Sequence, residues 1–494
     1  MTGWSAPSAA KSDAAVRPGL VIGLLVASAF VMILNETIMS VALPPLISEL
    51  GVPATTVQWL TSGFLLTMAV VIPTTGFLLQ RITPRQVFLA SMTLFSSGTL
   101  ICALAPGFAV LLVGRIVQAC GTAVMIPLVM TTVMTLIPAQ RRGVMMGNIT
   151  LAIAVAPAVG PMIGGLILAA LDWRWMFWSV LPLAVTMLAL GFALMRLSSE
   201  TRSAPLDVAS VLLSAVAFSG IVYGFSAIGM AAQGAGGVPP WLPITGGAVV
   251  LLAFVARQRH LQQAERALLD LRPFTHPPFV VAVVLSGLVF MSLLGAAILL
   301  PLYLQSVLGA GPDTTGLVLL PGGLVLGLLG RPVGRLFDRF GARPLVVPGA
   351  IAMATSLWLF AALGPDASLA AVIAIHILLM AALGLMMTPL LTEALAVLPT
   401  TLYAHGSAIM ATLQQVAGAA GTAAFVTVTA IASNGPAGAP DATGLQAGFV
   451  AAALIGLLTV VTALFVRSKQ TDDTSRDNSE DTEINDTPTP VAGY

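Results

Sequence analysis

Apolar residues run through this chain in blocks of about twenty, divided by shorter stretches that hold most of the charge. A helix that crosses a bilayer needs about twenty mostly apolar residues. Windows of that length predict helices at about 20–42, 57–79, 86–105, 108–134, 145–168, 175–195, 206–229 and 239–256. Six more follow at about 279–304, 315–336, 344–364, 368–392, 405–432 and 445–466, which makes fourteen. Gly and Pro interrupt several blocks, as bilayer helices tolerate when neighbours and waters satisfy the freed backbone groups.

Two charges break the apolar pattern. Glu36 lies inside the first block, in the run Ile33-Leu34-Asn35-Glu36-Thr37, and Arg115 lies inside the fourth. On insertion scales the related Asp costs roughly 2.5–3.5 kcal/mol at membrane depth, which makes an intramembrane carboxylate a functional candidate by default. Counted from the predicted helix ends at 1.5 Å per residue, both charges sit roughly 9–11 Å below the same face. Equal depth permits pairing. Burial disfavours a charged carboxyl and a nearby Arg favours it, so changing access or distance can load and unload a proton. A buried acid and a buried base suggest an ion-coupled transporter.

Composition agrees with a membrane protein. The 494 residues have a mean hydropathy of +0.98 and 8% charged residues, against about 25% in soluble domains. The net charge of +1 matters less than where the charges fall. With the N-terminus inside, nineteen of twenty-one basic residues lie in cytoplasmic segments, including Arg81, Arg85, Arg141, Arg142, Arg257, Arg272, Arg339 and Arg343. External loops keep only Arg174, beside Glu49, Asp172, Asp313, Asp366 and Asp441. A miscounted helix would invert that asymmetry, and it never inverts. The sequence therefore predicts fourteen spans with both termini in the cytoplasm. The first apolar run, about 23 residues, exceeds the 7–15 of a signal-peptide core and reads as a retained helix. Cys102 and Cys120 lack metal-ligand spacing and read as small buried hydrophobes. No basic face with interleaved aromatics suggests nucleic acid.

The chain repeats itself. Gly76-Phe-Leu-Leu-Gln-Arg-Ile-Thr-Pro-Arg85 closes the second block and Gly334-Arg-Leu-Phe-Asp-Arg-Phe-Gly-Ala-Arg343 closes the tenth. Gly, Leu, Arg and Arg recur at matching offsets, each time in a predicted cytoplasmic loop. Paired halves around a midplane site are a common plan for secondary transporters. The predicted organisation is a cytoplasmic N-terminus (1–19), an N-terminal six-helix bundle (20–200), two extra spans with a cytoplasmic linker (201–272), a C-terminal six-helix bundle (273–469) and an acidic disordered tail (470–494).

Several runs carry a family resemblance over about residues 20–467. They are Leu34-Asn-Glu-Thr-Ile-Met-Ser-Val-Ala-Leu-Pro44, Gln58-Trp59, Gly114-Arg-Ile-Val-Gln-Ala-Cys-Gly121, Ala156-Pro-Ala-Val-Gly-Pro-Met-Ile-Gly-Gly165, Asp172-Trp-Arg-Trp-Met-Phe177, and Leu402-Tyr-Ala-His-Gly-Ser-Ala408 with Gln414-Gln415. In this order they resemble a major facilitator superfamily exporter of the fourteen-span drug:proton antiporter group, which includes lincomycin and multidrug resistance pumps. The resemblance implies an all-α integral membrane fold of two six-helix bundles with two intervening helices. It also implies that Glu36 and Arg115 form the proton-coupling site, although many relatives place the acid one position earlier, where this chain has Asn35.

The fifth-block run resembles the motif that marks exporters. Pro157 and Pro161 remove backbone donors and bend a helix, while Gly160, Gly164 and Gly165 permit close helix approach; together they suit a seal or pivot, or generic small-residue packing. The repeated loops resemble the gating motif, with Gly76, Arg81 and Arg85 in the first copy and Gly334, Asp338, Arg339 and Arg343 in the second. The first copy has Gln80 in place of the acid and Thr83 in place of Gly. Positive-inside anchoring alone also accounts for the arginines. Asp207, His376 and Glu393 are further titratable candidates, and each also reads as interfacial or packing. His376 occupies in the twelfth block the place Arg115 has in the fourth, while His405 reads as family pattern rather than chemistry. Asn35, Gln118, Asn148, Phe290, Gln305, Gln414 and Gln415 are candidate cavity residues, or helix–helix hydrogen-bonding ones for the polar members. Twenty-one methionines suit an adaptable apolar cavity.

The expected function is proton-coupled efflux of amphipathic drug-like compounds across the cytoplasmic membrane, by a monomer working with protons and lipid and with no cofactor, metal or nucleic acid. An exporter of an endogenous metabolite or siderophore is the alternative within transport. An integral-membrane enzyme is remote, because His260, His276, His376 and His405 scatter over separate loops and spans, and no Walker-type motif is present.

Overall fold

A computed structural model of the chain describes residues 18–52, 54–57, 59–195, 207–232, 238–434 and 441–467. The N-terminal segment, the acidic tail, Gln58, Arg196 and Arg202 lie outside the described residues, as do the side chains of Pro157, Pro161 and Asp313. Fourteen helices of nineteen or more residues account for most of what is described. They are α1 (Pro18–Leu50), α2 (Trp59–Arg81), α3 (Pro84–Ala103), α4 (Phe108–Leu136), α5 (Arg142–Ala170), α6 (Arg174–Leu194) and α7 (Val208–Ala232). The others are α8 (Trp241–Gln262), α9 (Pro277–Leu302), α10 (Pro312–Phe340), α11 (Arg343–Ala361), α12 (Leu369–Ala396), α13 (Tyr403–Ala432) and α14 (Ala442–Ala463). Thirteen are long and apolar enough to cross a membrane among the described residues; the remaining one, α5, includes positions outside that set.

Helix is the only open-ended structure that satisfies its own backbone in hydrocarbon, and local chemistry sets several of the starts. Thr83 and Gln86 close a capping box on α3, Ser368 accepts from the Ala371 amide of α12, and Asp441 accepts from the Gly444 amide of α14. The Gly444 and Asn434 amides hold the Asp441 carboxyl below the usual carboxylate range. The outward faces are greasy: Leu166, Phe192, Leu212, Leu252 and Ile431 are exposed. Trp59, Trp175 and Trp241 stand in the first turns of α2, α6 and α8, all at one end of the bundle, where an aromatic belt meets the headgroups.

Among the described residues α1–α6 pack on one another and so do α9–α14, and these two sets are called the first and second groups below. The groups meet along two seams, α5 against α10 and α2 against α13, and α7, paired with α8, leans on both α2 and α13. One end carries the arginine-bearing turns after α2, α4 and α10, and is called the basic end below. The two repeated runs prove to be largely helical. Gly76 lies inside α2 and Gly334 inside α10, because both helices continue past the apolar run into their basic last turn. Likewise α1 continues to Leu50, through the Pro44-Pro45 pair where the sequence suggested an end, so Glu36 lies deeper than its distance from residue 42 implied.

Candidate functional site

Arg115 organises the most polar point inside the first group. α4 delivers it seven residues beyond Phe108, with 1% of its surface exposed. Its Nη1 donates to Asn35 Oδ1 on α1 (3.3 Å) and to Gln118 Oε1 one turn along α4 (3.1 Å), and its Nε reaches the Leu60 carbonyl (3.5 Å). The guanidinium lies 4.2 Å from the Phe64 ring centroid on α2. Gln118 is fixed in turn, donating from Nε2 to Thr99 Oγ1 on α3 (2.8 Å). Four helices thus hold one cation. Burying an arginine costs roughly 2.5–3.5 kcal/mol on insertion scales. Each hydrogen bond to a charged group returns about 1.5–3 kcal/mol and a desolvated cation–π contact about 2 kcal/mol, so the network offsets the burial.

Glu36 is adjacent but not joined. Among the described residues no ion pair or hydrogen bond connects it to Arg115; the two interact through space. The geometry of α1 gives the reason. Asn35 faces α4, whereas Thr37 and Ile38 face α5, with Thr37 Oγ1 donating to the Ala156 carbonyl (3.4 Å). At about 100° per residue Glu36 turns away from α5 and to one side of Arg115. It is half-buried. The guanidinium is therefore held by neutral acceptors, and its charge is available to a carboxyl beside it.

The exporter-like run on α5 packs on the same stretch of α1. A Cβ on Gly160 would overlap Thr37, and one on Gly164 would lie 3.1 Å from the Ile38 carbonyl oxygen. Gly165 meets nothing within 4 Å, so close helix approach accounts for Gly160 and Gly164 and not for Gly165.

Both seams close at the basic end. Asp338 accepts from the Gly143 and Val144 amides in the first turn of α5 (2.7 and 2.9 Å), an anion on a helix N-terminus. Gly143 and Gly147 lie directly on Gly334 and Gly330. Arg142 caps the Met134 and Ile137 carbonyls and reaches Tyr403. On the other seam Gln80 donates to the Thr401 carbonyl (2.9 Å), and Gly76 packs on His405. Thr131 bonds Ser407 and Thr388 bonds Thr150 across the groups (3.1 and 3.0 Å). Arg339 and Arg343 are exposed, and Arg85 donates to the Phe192 carbonyl within the first group.

The remaining candidates lie apart from Arg115. Asp207 pairs with Arg257 (2.7 and 2.8 Å) at the basic end of the α7–α8 hairpin. His376 is buried against Gly322 of α10, and its Nδ1 has no partner among the described residues. Glu393 is half-buried near the basic end of α12. Gln305 is exposed in the turn after α9, and Asn148 (α5), Phe290 (α9) and the neighbours Gln414 and Gln415 (α13) are half-buried on three different helices. Cys102 contacts Gln118, and Cys120 is half-buried and free. Sequence reasoning missed Phe64 and Thr99, since a Phe and a Thr in apolar helices announce nothing until the register of neighbouring helices is known.

Residues 25–422 match the Major Facilitator Superfamily. The chain belongs to that family. It is similar to the lincomycin resistance protein LmrB of Bacillus subtilis, 39% identical over 92% of this chain and 96% of that protein. It is also similar to LmrB of Listeria monocytogenes, 39% identical over 92% and 97% of the two chains. In three dimensions it resembles the human organic anion transporter MFSD10, with a TM-score of 0.66 at 17% identity over 91% of this chain and all of that one. As a Major Facilitator Superfamily member it is a multi-pass membrane transporter and not an enzyme.

Proposed function

We propose that this transporter is a proton-driven exporter of amphipathic, cationic or neutral drug-like molecules, working by alternating access between the two six-helix groups. The observation that carries the reading is the Asn35–Arg115–Gln118 network beside Glu36. A fixed cation with neutral ligands next to an unpaired carboxyl is suited to proton exchange, because a small change in hydration or separation alters the carboxyl's occupancy. The names of the LmrB relatives support an antibiotic as cargo. In the proposed topology all fourteen long helices span the cytoplasmic membrane, the basic end faces the cytoplasm, and both termini lie there. The polar contacts across the seams at the basic end are those of a form closed to the cytoplasm.

In the cycle, the inward-open form binds drug as Glu36 releases its proton, and protonation from outside resets it. The α5 run, with Pro157, Gly160, Pro161, Gly164 and Gly165, serves as the pivot along α1. A voltage of about 100 mV supplies some 2.3 kcal/mol per charge and one pH unit about 1.4 kcal/mol. Their sum sustains roughly a 500-fold gradient of a neutral substrate per proton.

Purified protein in sealed vesicles with an imposed pH gradient tests the reading, with lincomycin as the first cargo. Lincomycin addition is expected to dissipate the gradient in wild type and not in Glu36→Gln. Uphill movement of cargo with no dependence on a hydrogen-ion gradient or voltage would refute proton coupling, and retained coupling in both Glu36→Gln and Arg115→Ala would discard this site.

A further inference from the structure

Between α8 and α9, residues 263–276 cross the basic end of the bundle as a strap. Five successive amides in it donate to side chains. Leu268 and Leu269 donate to Gln258 Oε1 (2.8 and 3.2 Å), Asp270 to His405 Nδ1 (3.2 Å), Leu271 to Gln262 Oε1 (3.3 Å) and Arg272 to Asp270 Oδ1 (2.9 Å). A connection lying in water needs no such partners, but buried amides do. Here Leu268, Leu269 and Asp270 are buried and Gln258 is 0% exposed. Gln258 also donates to Ser210 Oγ (2.7 Å), and Ser210 donates to Asp207, which grips Arg257. The strap is thereby wired to both helices of the inserted hairpin. The Asp270 carboxylate pairs with the Arg272 guanidinium, raising the pKa of Arg272 further.

The strap meets α13 at the point where α13 touches α2. His405, third residue of α13, is 3% exposed. A Cβ on Gly76 of α2 would lie 2.6 Å from its Nδ1 and 3.2 Å from its Cα. A cavity of about 100 Å³ at this junction is lined by α2, the strap and α13 together, including Gln80, Gln262, Asp270 and His405. The hairpin follows the same seam toward the opposite end, where Tyr223 of α7 stacks on Trp59 of α2 (6.1 Å).

The seams are related by the sequence repeat yet differ in chemistry. On the α5–α10 seam Asp338 accepts the amides of the α5 first turn. The corresponding position on the other seam is Gln80, which instead uses its amide group to donate to the Thr401 carbonyl. We propose that the 263–276 strap is the clasp of the α2–α13 seam: docked on His405, it holds the basic end shut where the carboxylate latch is missing, and it lets go when that end opens. Gln258 acts as a positioning residue that keeps the strap in the shape His405 receives. The inference rests on the rocking of the two groups proposed above, and gives the inserted hairpin a role in it.

Spin labels at the exposed positions Ala139 and Thr400, one on each group at the basic end, report the opening in a background lacking Cys102 and Cys120. Gln258→Met keeps the side-chain length and removes the acceptor for two strap amides; His405→Leu removes the dock from the other side. Each is expected to raise the ratio of long to short label distances about fivefold, the effect of losing about one net hydrogen bond from a single state. Asp338→Asn, which weakens the other seam, is the control for rocking itself. If Asp338→Asn lengthens the distances and neither strap variant does, the clasp is wrong while rocking stands. If none of the three changes them, both ideas fail. A second variant guards against one that does not fold.

Discussion

Gly330→Ala probes the seam between α5 and α10 where the two backbones lie in close contact. A Cβ at position 330 would lie 3.2 Å from the Gly147 carbonyl carbon, 3.2 Å from the Leu151 amide nitrogen, and closer still to the Gly147 carbonyl oxygen. All three are backbone atoms of α5, which cannot rotate aside as a side chain would, so the two helix ends must separate. Overpacking of this kind costs about 1–3 kcal/mol. Under the proposed alternating access, the cost falls only on the form in which the basic ends touch. With 1.4 kcal/mol for each factor of ten, the closed population should drop roughly 5- to 150-fold relative to the open one. The reciprocal change, Gly147→Ala, would place its Cβ 2.6 Å from the Gly330 carbonyl carbon and 3.1 Å from the Arg331 amide nitrogen. The pair should be strongly non-additive, because both remove the same contact.

The assay is alkylation of Ser407→Cys, in a background without Cys102 and Cys120, by a reagent offered from the basic side. Ser407 is buried at this end and bonds Thr131 of the opposite group. Gly330→Ala is expected to speed its alkylation by a factor comparable to the population change, while the thermal midpoint hardly moves, since the protein relaxes into its other form. An unchanged alkylation rate with a midpoint lower by several degrees would show that the methyl strains the whole fold, and the conformational argument would be wrong. No change in either would mean that the helices do not meet there.

Arg115→Lys should cost at least about tenfold in transport at normal expression, because an ammonium cannot reproduce a planar guanidinium that serves Asn35, Gln118 and the Leu60 carbonyl and stacks on Phe64; wild-type uptake in vesicles would overturn that view of the site. Asp207→Asn tests the inserted hairpin through pH. Arg257 and Ser210 hold the Asp207 carboxyl well below its usual range. Its contribution is then complete above the unfolded value of about 4 and is lost as pH falls through the lowered folded value. The gap in thermal midpoint between wild type and Asp207→Asn should stay constant from about pH 5 to 8 and shrink below about pH 4; a gap that widened on acidification would reverse the sign of the argument.

The helices were readable because hydrocarbon allows little else: about twenty apolar residues with charge at the ends leave few structural choices. The end of α1 was less readable, since Pro44 and Pro45 look like a stop and the helix runs through them to Leu50. Arg115 and Glu36 stood out because intramembrane charge is expensive. Their relative orientation did not, because depth fixes how far along a helix a residue lies and not which way it faces. That is why equal depth could only permit a pair, while the side-chain partner Arg115 bonds on α1 is Asn35. Loop chemistry was the least legible. Nothing in the sequence singled out Asp270 or Gln258, and His405 read as family pattern; only the fold brings Asp270 and His405 together across 135 residues.

The difference between the two seams bears on the proposed rocking of the two groups. An anion at a helix N-terminus contributes about 0.3–2 kcal/mol, with charge-assisted hydrogen bonds to the α5 amides on top. A neutral Gln80 bonded to one carbonyl contributes about 1 kcal/mol net. Left to those two contacts, the α2–α13 side would be the weaker, and the basic end would hinge open there first rather than part evenly along both seams. The strap adds a hydrogen bond to His405 on that weaker side, and the α7–α8 hairpin adds packing against α2 and α13 together. The proposed clasp thus compensates for an acid replaced by an amide, so that neither seam can open far ahead of the other. Returning the acid by Gln80→Glu should then make the strap partly redundant: the opening caused by Gln258→Met should shrink in the double variant, and a full-size effect there would mean the two devices act on different motions.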